Sequence, residues 1–300
     1  MSQLTGAEAR LESDPGEYIG QKIKDFVATS PASRLAFLDD YMMWDEPLVR
    51  FADGDDDIFT EYKDIIGPVH LTPREALAAA YEKTPEELPG RLSVISWILP
   101  ITEETRKSNR LEKTGPSRLW SHTRYYGEML NEKLREHLVD SLTQAGYLAT
   151  APHGASYFKM HSNEKGPYSN WSERHVAYAA GQGTFSLSDG FITERGIAHR
   201  CGSVVTSLGL PPSPRTAAGP FSNCLAYVGV NCQSCINRCP AEAISEEGHD
   251  KNKCQQYLAG LGYPSSMKDG YKNDTSVAGC GLCQVKVPCE DRNPTLKLKK

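Results

Sequence analysis

The chain lacks a leader, a long apolar run and a long basic block, and each absence narrows what it can do. Residues 1–15 read MSQLTGAEARLESDP, with acids where a secretory leader needs a basic start and an apolar core, and no twin-arginine pair. The longest apolar stretch, around Val94–Ile101, falls far short of a bilayer span. Lys and Arg total 33 against 38 Asp and Glu, a formal net charge of −5, which argues against nucleic acid as a partner. The closing Lys297-Leu298-Lys299-Lys300 is too short to alter that and reads as a frayed, solvated end. The expectation is a soluble, cytoplasmic protein with no membrane partner.

Two further absences matter. No repeat of solenoid length is present apart from two groups of cysteines. The acidic run Asp53-Gly54-Asp55-Asp56-Asp57 has neither the alternating ligands nor the distal glutamate of a calcium loop, and reads as a solvated loop.

What is present suits an ordinary packed core, with 39% apolar and 24% charged residues. A length of 300 residues suggests two domains, or one domain and a small module. Residues 1–90 look helical and loop-rich, with apolar residues at helical spacing over Ile19–Ala28 and Ala32–Tyr41. Thr72 before Pro73 is a helix N-cap with proline in the first turn. Leu92–Leu99 reads as a buried strand stopped by Pro100. Arg124–Ala145 is the clearest helix, with Leu130, Leu134, Leu138 and Leu142 in one stripe. Gly146 closes it and Tyr147–Thr150 resumes as a strand. This order suggests a layered α/β or α+β domain. Pro211-Pro212-Ser213-Pro214 looks like a linker.

Every cysteine but Cys201 follows that linker, and nine cysteines in a reducing compartment argue for metal or catalysis rather than disulfides. The core is Cys232-x2-Cys235-x3-Cys239-Pro240. Bacterial ferredoxins use C-x2-C-x2-C-x3-C-P, in which the fourth cysteine serves the other cluster. Gly229 stands where the first cysteine of that run belongs, and Cys224 is the available replacement. Cys254, Cys280-x2-Cys283 and Cys289 form the second group. By ferredoxin logic one four-iron cluster takes Cys224, Cys232, Cys235 and Cys289, and the other takes Cys239, Cys254, Cys280 and Cys283. The rival is a pair of structural zinc sites, because paired C-x2-C knuckles also bind zinc; the Cys-Pro and the eight thiolates count against it. Cys201, in the apolar run Arg200–Val205, reads as a buried, inert thiol.

The segment Glu173-Arg174-His175-Val176-Ala177-Tyr178-Ala179-Ala180-Gly181-Gln182-Gly183 resembles the "ER-x-A-x-x-A-G-L-G" segment of epoxyqueuosine reductases and cobalamin-dependent reductive dehalogenases. Asp189–Gly196 and Gly202–Leu208 follow in the family's order, and the cysteine module comes at the expected distance, so the resemblance covers about residues 90–292. It implies an α+β fold: a nitroreductase-like, corrinoid-binding α/β domain over 91–220 and a bacterial ferredoxin-like domain with two 4Fe-4S clusters over 221–292. Residues 1–90 form the helical region before them and 293–300 a tail. It also implies a cobalamin with its lower base detached; no D-x-H-x-x-G segment of the mutase type is present. Single electrons would pass from the clusters to cobalt.

Epoxyqueuosine reductases carry an Asp general acid about six residues before the "ER" glutamate. Pro167 stands there, with Tyr168 beside it. Dehalogenases use a tyrosine as proton donor, so Tyr168 is the first catalytic candidate and Tyr157 the second; either could instead be a tyrosine packed at a cavity wall. Gly181 and Gly183 are candidates for close approach of the corrinoid, and Ser186, Ser188 and Thr206 for hydrogen bonds to its amides; turns and caps are the plainer roles. Arg174 and Arg200 could pair an anionic group of substrate or corrinoid, or form surface ion pairs. His153, His161 and His175 lie nearby and are taken as structural. Neither the tRNA-binding tail of epoxyqueuosine reductases nor the leader of respiratory dehalogenases is seen. The resulting expectation is a cobalamin-dependent reductase similar to reductive dehalogenases. It would act on a small, possibly halogenated organic substrate and be fed by an external donor such as ferredoxin or flavodoxin. The alternatives are an epoxyqueuosine reductase-like tRNA-modification enzyme and a non-catalytic electron-transfer protein.

Overall fold

The computed structural model describes residues 13–261 and 279–299, so most of the acidic start and Lys300 lie outside the described residues. Helix α1 (Pro15–Thr29) begins where the Asp14 carboxylate accepts the Glu17 N–H, and it buries Ile19, Ile23 and Val27 on one stripe. The helix expected over Ala32–Tyr41 does not form. Pro31–Ser33 makes a 3-10 turn, β1 (Arg34–Leu35) pairs with β2 (Tyr41–Met42), and Asp39 and Asp40 take positive φ in the hairpin between them. Apolar spacing alone did not reveal that this segment turns back on itself.

Strand β3 (Leu48–Asp53) is followed by α2 (Ile58–Ile65) and α3 (Pro73–Ala80). Helix α3 opens with a capping box in which Thr72 and Glu75 each accept the other's backbone N–H. Strand β4 (Ser93–Pro100) is buried along its whole length, as its apolar run predicts. Then come α4 (Glu103–Arg110), the 27-residue α5 (Arg118–Gln144) and β5 (Ala149–Thr150). Helix α5 starts six residues before its sequence expectation because Ser117 caps it. Its four stripe leucines are at most 1% exposed, and Gly146 leaves it at φ +88°. The hairpin β6 (Met160–Asn163)–β7 (Gly166–Ser169), α6 (Glu173–Ala179), the hairpin β8 (Gly183–Phe185)–β9 (Phe191–Thr193) and β10 (His199–Thr206) complete the front part.

One antiparallel sheet of order β3-β4-β10-β5 runs through the middle. Alternation along β4 assigns its faces: Ile95, Trp97 and Leu99 pack with α1 and α5, whereas Val94 packs with α2, α3 and α6. Because β3 lies beside β4, the region before residue 90 belongs to the same sheet as the later strands β4, β5 and β10. The four acids of the 53–57 loop do not all stand free in solvent. Asp53 pairs with Arg91 at 2.6 Å, Asp55 with Arg74 at 2.8 Å and Asp56 with Arg215 at 2.5 Å. The presumed linker is pinned to β3, with Ser213 and Phe51 exchanging two hydrogen bonds of 2.8 and 3.0 Å.

The cysteine-bearing part holds a 3-10 turn Leu225–Val228, α7 (Ser234–Arg238), β11 (Ile244–Ser245), β12 (Gly248–His249) and α8 (Lys251–Gly260). It is bolted to the front part. The Ile197 N–H donates to the Cys289 carbonyl at 2.9 Å, and Asn109 Nδ2 donates to the Cys280 carbonyl at 3.0 Å. Gly281 lies flat under Trp120, where a Cβ would stand 2.1 Å from the ring. The buried Glu290 accepts from Arg110 at 2.6 Å, lies 3.5 Å from Arg106 and accepts the Lys286 N–H at 2.6 Å. Among the described residues no helix is long and apolar enough to cross a membrane.

Candidate functional site

The eight cysteines of the C-terminal part gather into two sets. Cys224, Cys232, Cys235 and Cys289 surround one small void walled by Leu187, Ile192, Ala226 and Val287. Gly229 explains the missing cysteine. It leaves the 3-10 turn at φ +83°, a left-handed conformation, and Cys224 caps the start of that same turn. Cys283 feels the charges of Cys280, Cys239, Cys235 and Cys254, and Cys254 those of Cys280 and Cys239. Cys239 thus lies near Cys254, Cys280 and Cys283, and Cys289 near Cys224, Cys232 and Cys235.

Burial pushes the Cys235 and Cys254 thiols up to about 11, and neighbouring thiols add to the rise. Cys280, Cys283 and Cys289 are raised as well, again first by burial. Crowded, buried thiols without a cation hold their protons, and a metal that displaces those protons relieves the crowding. Four cysteine thiols to each set is the donor chemistry that iron–sulfur clusters use. Among the described residues no three His, Cys, Asp or Glu side chains form a group able to hold a single metal ion.

A cavity of about 520 Å³ opens against the second set, with Cys254, Cys280 and Cys283 in its wall. Ile65, Ile66, Met160 and Leu258 give it apolar surface, and Met160 and Ile65 are 63% and 64% exposed. Lys165, Arg174 and Lys251 bring positive charge, and the two lysines have no ion-pair partner among the described residues. Arg174 donates to the Asp189 carbonyl. Asp189 turns the β8–β9 hairpin at φ +57°, and its carboxylate lies 3.2 Å from His249 Nδ1. Burial alone would raise the Asp189 carboxyl; the His249 hydrogen bond and the charges of Lys251 and Arg174 outweigh it and hold it below the ordinary value.

Tyr168 lines this cavity. Its ring stacks on His161 at 5.4 Å and covers Gly67, and its hydroxyl has no hydrogen-bond partner among the described residues. Tyr157 does not line it. Its hydroxyl bonds Thr150 at 2.9 Å, and burial pushes it up to about 12. The packed-tyrosine role describes Tyr157.

Four of the five positions expected to hold a corrinoid are used elsewhere. A Cβ on Gly181 would stand 2.6 Å from the Pro214 carbonyl oxygen, and one on Gly183 2.1 Å from that of Ile192. Both glycines admit neighbouring chain. Thr206 is fully buried in β10, where its hydroxyl donates to the Leu148 carbonyl. Ser186 hydrogen-bonds Ser188 beside the first thiol set. Ser188 alone of the five reaches the cavity. These residues do not form a corrinoid cradle.

The "ER" pair divides. Arg174 reaches the cavity, whereas Glu173 packs against β10, held by Ser203 at 2.6 Å and Arg135 at 3.4 Å. Burial raises its carboxyl, against the pull of Arg135. Arg200 pairs with Glu128 in the same network, away from the cavity. Burial pushes Cys201, beside it, up to about 12, apart from both thiol sets. His153 packs on Phe158. His175, half-buried in the cavity wall, falls to about 3 because desolvation disfavours its charge, and its Nδ1 bonds Ser172 at 2.8 Å. Sequence reasoning missed Lys165, Asp189, His249 and Lys251. Only Asp189 left a trace, as the centre of a Ser-Asp-Gly turn.

No protein-family model and no curated protein matches the chain. Similar solved structures include epoxyqueuosine reductase from Bacillus subtilis, with its catalytic aspartate loop swung out of the active site. It shares 19% identity at a TM-score of 0.44, with 91% of this chain and 66% of that one covered. An epoxyqueuosine reductase with an epoxyqueuosine-modified tRNA-Tyr stem loop shares 17% at 0.47, covering 96% and 70%. A selenomethionine-labelled epoxyqueuosine reductase shares 18% at 0.41, covering 93% and 71%. The chain thus spans less than two thirds of the Bacillus subtilis protein's length. These structures overturn two expectations. They are epoxyqueuosine reductases rather than dehalogenases, and one holds RNA, so neither a dehalogenase-like activity nor the exclusion of nucleic acid stands. The cavity is locally cationic, although the chain's net charge is −5. What the chain resembles, in mixed α/β architecture, is the epoxyqueuosine reductases.

Proposed function

We propose that the chain is an iron–sulfur reductase of the epoxyqueuosine reductase type, acting on a modified nucleoside carried in RNA. The observation that carries this is the cavity: the thiol set Cys239, Cys254, Cys280 and Cys283 borders on a pocket lined by apolar and aromatic side chains together with lysines that have no ion-pair partner among the described residues. Such a pocket suits a nucleotide, with a base against apolar surface and a phosphate on the cations. Clusters bound to the two thiol sets supply single electrons.

The chain's own residues position and protonate. Arg174, Lys165 and Lys251 hold the anionic part of the substrate. Tyr168, whose hydroxyl has no hydrogen-bond partner among the described residues, donates the proton that the leaving oxygen takes.

Anaerobically purified protein is expected to hold iron and sulfide at the stoichiometry of two four-iron clusters, with the matching electron paramagnetic resonance after reduction. Zinc in their place would end the redox reading, and a bound flavin would favour an electron carrier. Tyr168→Phe is expected to keep both clusters and RNA binding, yet slow reduction of an epoxyqueuosine-containing stem loop on the order of a hundredfold, the usual contribution of a general acid. Unchanged turnover would move that role to another residue.

A further inference from the structure

Asp189 and His249 meet where the two parts of the molecule touch, Asp189 on the turn of the β8–β9 hairpin and His249 on β12. Both side chains line the cavity that Cys254, Cys280 and Cys283 border. His249 Nδ1 lies 3.2 Å from the Asp189 carboxylate, and Nε2 has no hydrogen-bond partner among the described residues. Because the Asp189 carboxyl is held in its ionised form, it can only accept, so Nδ1 carries a proton. A carboxylate in this place fixes the tautomer and the direction of the ring, the part it plays for a histidine that moves protons. The His249 side chain is 16% exposed, which gives water access to it. A mere tie between the two parts needs only the Nδ1 bond; an open Nε2 at the wall of a substrate cavity is what such a tie leaves unexplained.

We infer that His249 is a second proton donor of the cavity, oriented by Asp189 as its positioning residue. The inference rests on the proposed reduction of an epoxide-bearing nucleoside. Converting an epoxide to an alkene breaks both carbon–oxygen bonds and consumes two electrons and two protons, and the oxygen leaves as water. The electrons come one at a time through the clusters from a one-electron reductant. Tyr168 gives its proton to the oxygen as the first bond breaks, which leaves a hydroxyl. His249 gives the Nε2 proton as the second bond breaks, so that water departs rather than hydroxide. The neutral imidazole then takes a proton from solvent.

The test follows reduction of an epoxyqueuosine-containing stem loop by cluster-loaded protein, with dithionite as the reductant and RNA at saturation. His249→Gln, close to histidine in size, is expected to lower kcat on the order of a hundredfold, with iron content and stem-loop affinity unchanged. His249→Ala should fall as far, and added imidazole should raise its turnover by about tenfold, because it supplies the missing proton. Asp189→Asn should lose less, and imidazole should not restore it. Near-normal turnover in His249→Gln overturns the assignment. So does a loss in His249→Ala that imidazole leaves untouched, or a loss of iron in both His249 variants; either marks a structural tie. If the wild type holds its clusters and still leaves the stem loop unreduced, the proposed function itself fails, and the donor role with it.

Discussion

Cys239→Ser is expected to empty the cluster site of Cys254, Cys280 and Cys283, and to leave intact the one that contains Cys235, only four residues away. Cys289→Ser should do the reverse, removing the cluster of Cys224, Cys232 and Cys235 while sparing that of its near neighbour Cys283. The grounds are spatial. Cys289 feels the charges of Cys224, Cys235 and Cys232, and Cys239 lies among Cys254, Cys280 and Cys283. Each single change should halve the iron content. Turnover should vanish in both if, as proposed, electrons cross both clusters. Iron analysis with electron paramagnetic resonance of the two variants decides it. Loss of the sequence-adjacent cluster in either case would show that the ligands do not cross.

Glu290→Ala should be the most damaging change away from the thiols, costing about 3–5 kcal/mol of stability, the scale for removing one partner of a buried ion pair. The Glu290 and Arg106 side chains are 6% and 9% exposed, so the loss strands a guanidinium with little water to solvate it. Arg110 loses its 2.6 Å partner and the Lys286 N–H its acceptor. Denaturant unfolding of the cluster-loaded protein measures the effect, and a loss under about 1 kcal/mol would show that Arg106 finds other solvation. Glu290→Gln, which keeps an acceptor oxygen, should lose less.

The features legible in sequence were those with a local physical signature. The leucine stripe of α5 and the continuous apolar run of β4 state their burial in their spacing, and the Thr72 cap states its helix start. Cysteine spacing pointed to thiols that act together, because a two-residue spacer is itself a geometric constraint. What failed depended on contacts distant in the chain. Ala32–Tyr41 has helical spacing but folds into a hairpin. Gly181 and Gly183 looked like room for a cofactor, yet the space is filled by Pro214 and Ile192, and only tertiary structure reveals which neighbour a glycine admits. The cationic cavity was invisible because Lys165, Arg174 and Lys251 come from three separate elements.

The hydrogen bonds that tie the last cysteines to the front part set an order of biogenesis. Ile197 holds the Cys289 carbonyl, and Asn109 holds that of Cys280. During translation the early thiols leave the ribosome with their partners still unmade, and the late ones find their places only on a sheet already formed. If the thiols hold clusters as proposed, iron and sulfide are expected to enter after the front part has folded. A destabilised β10 would then deprive the protein of metal without touching a single ligand.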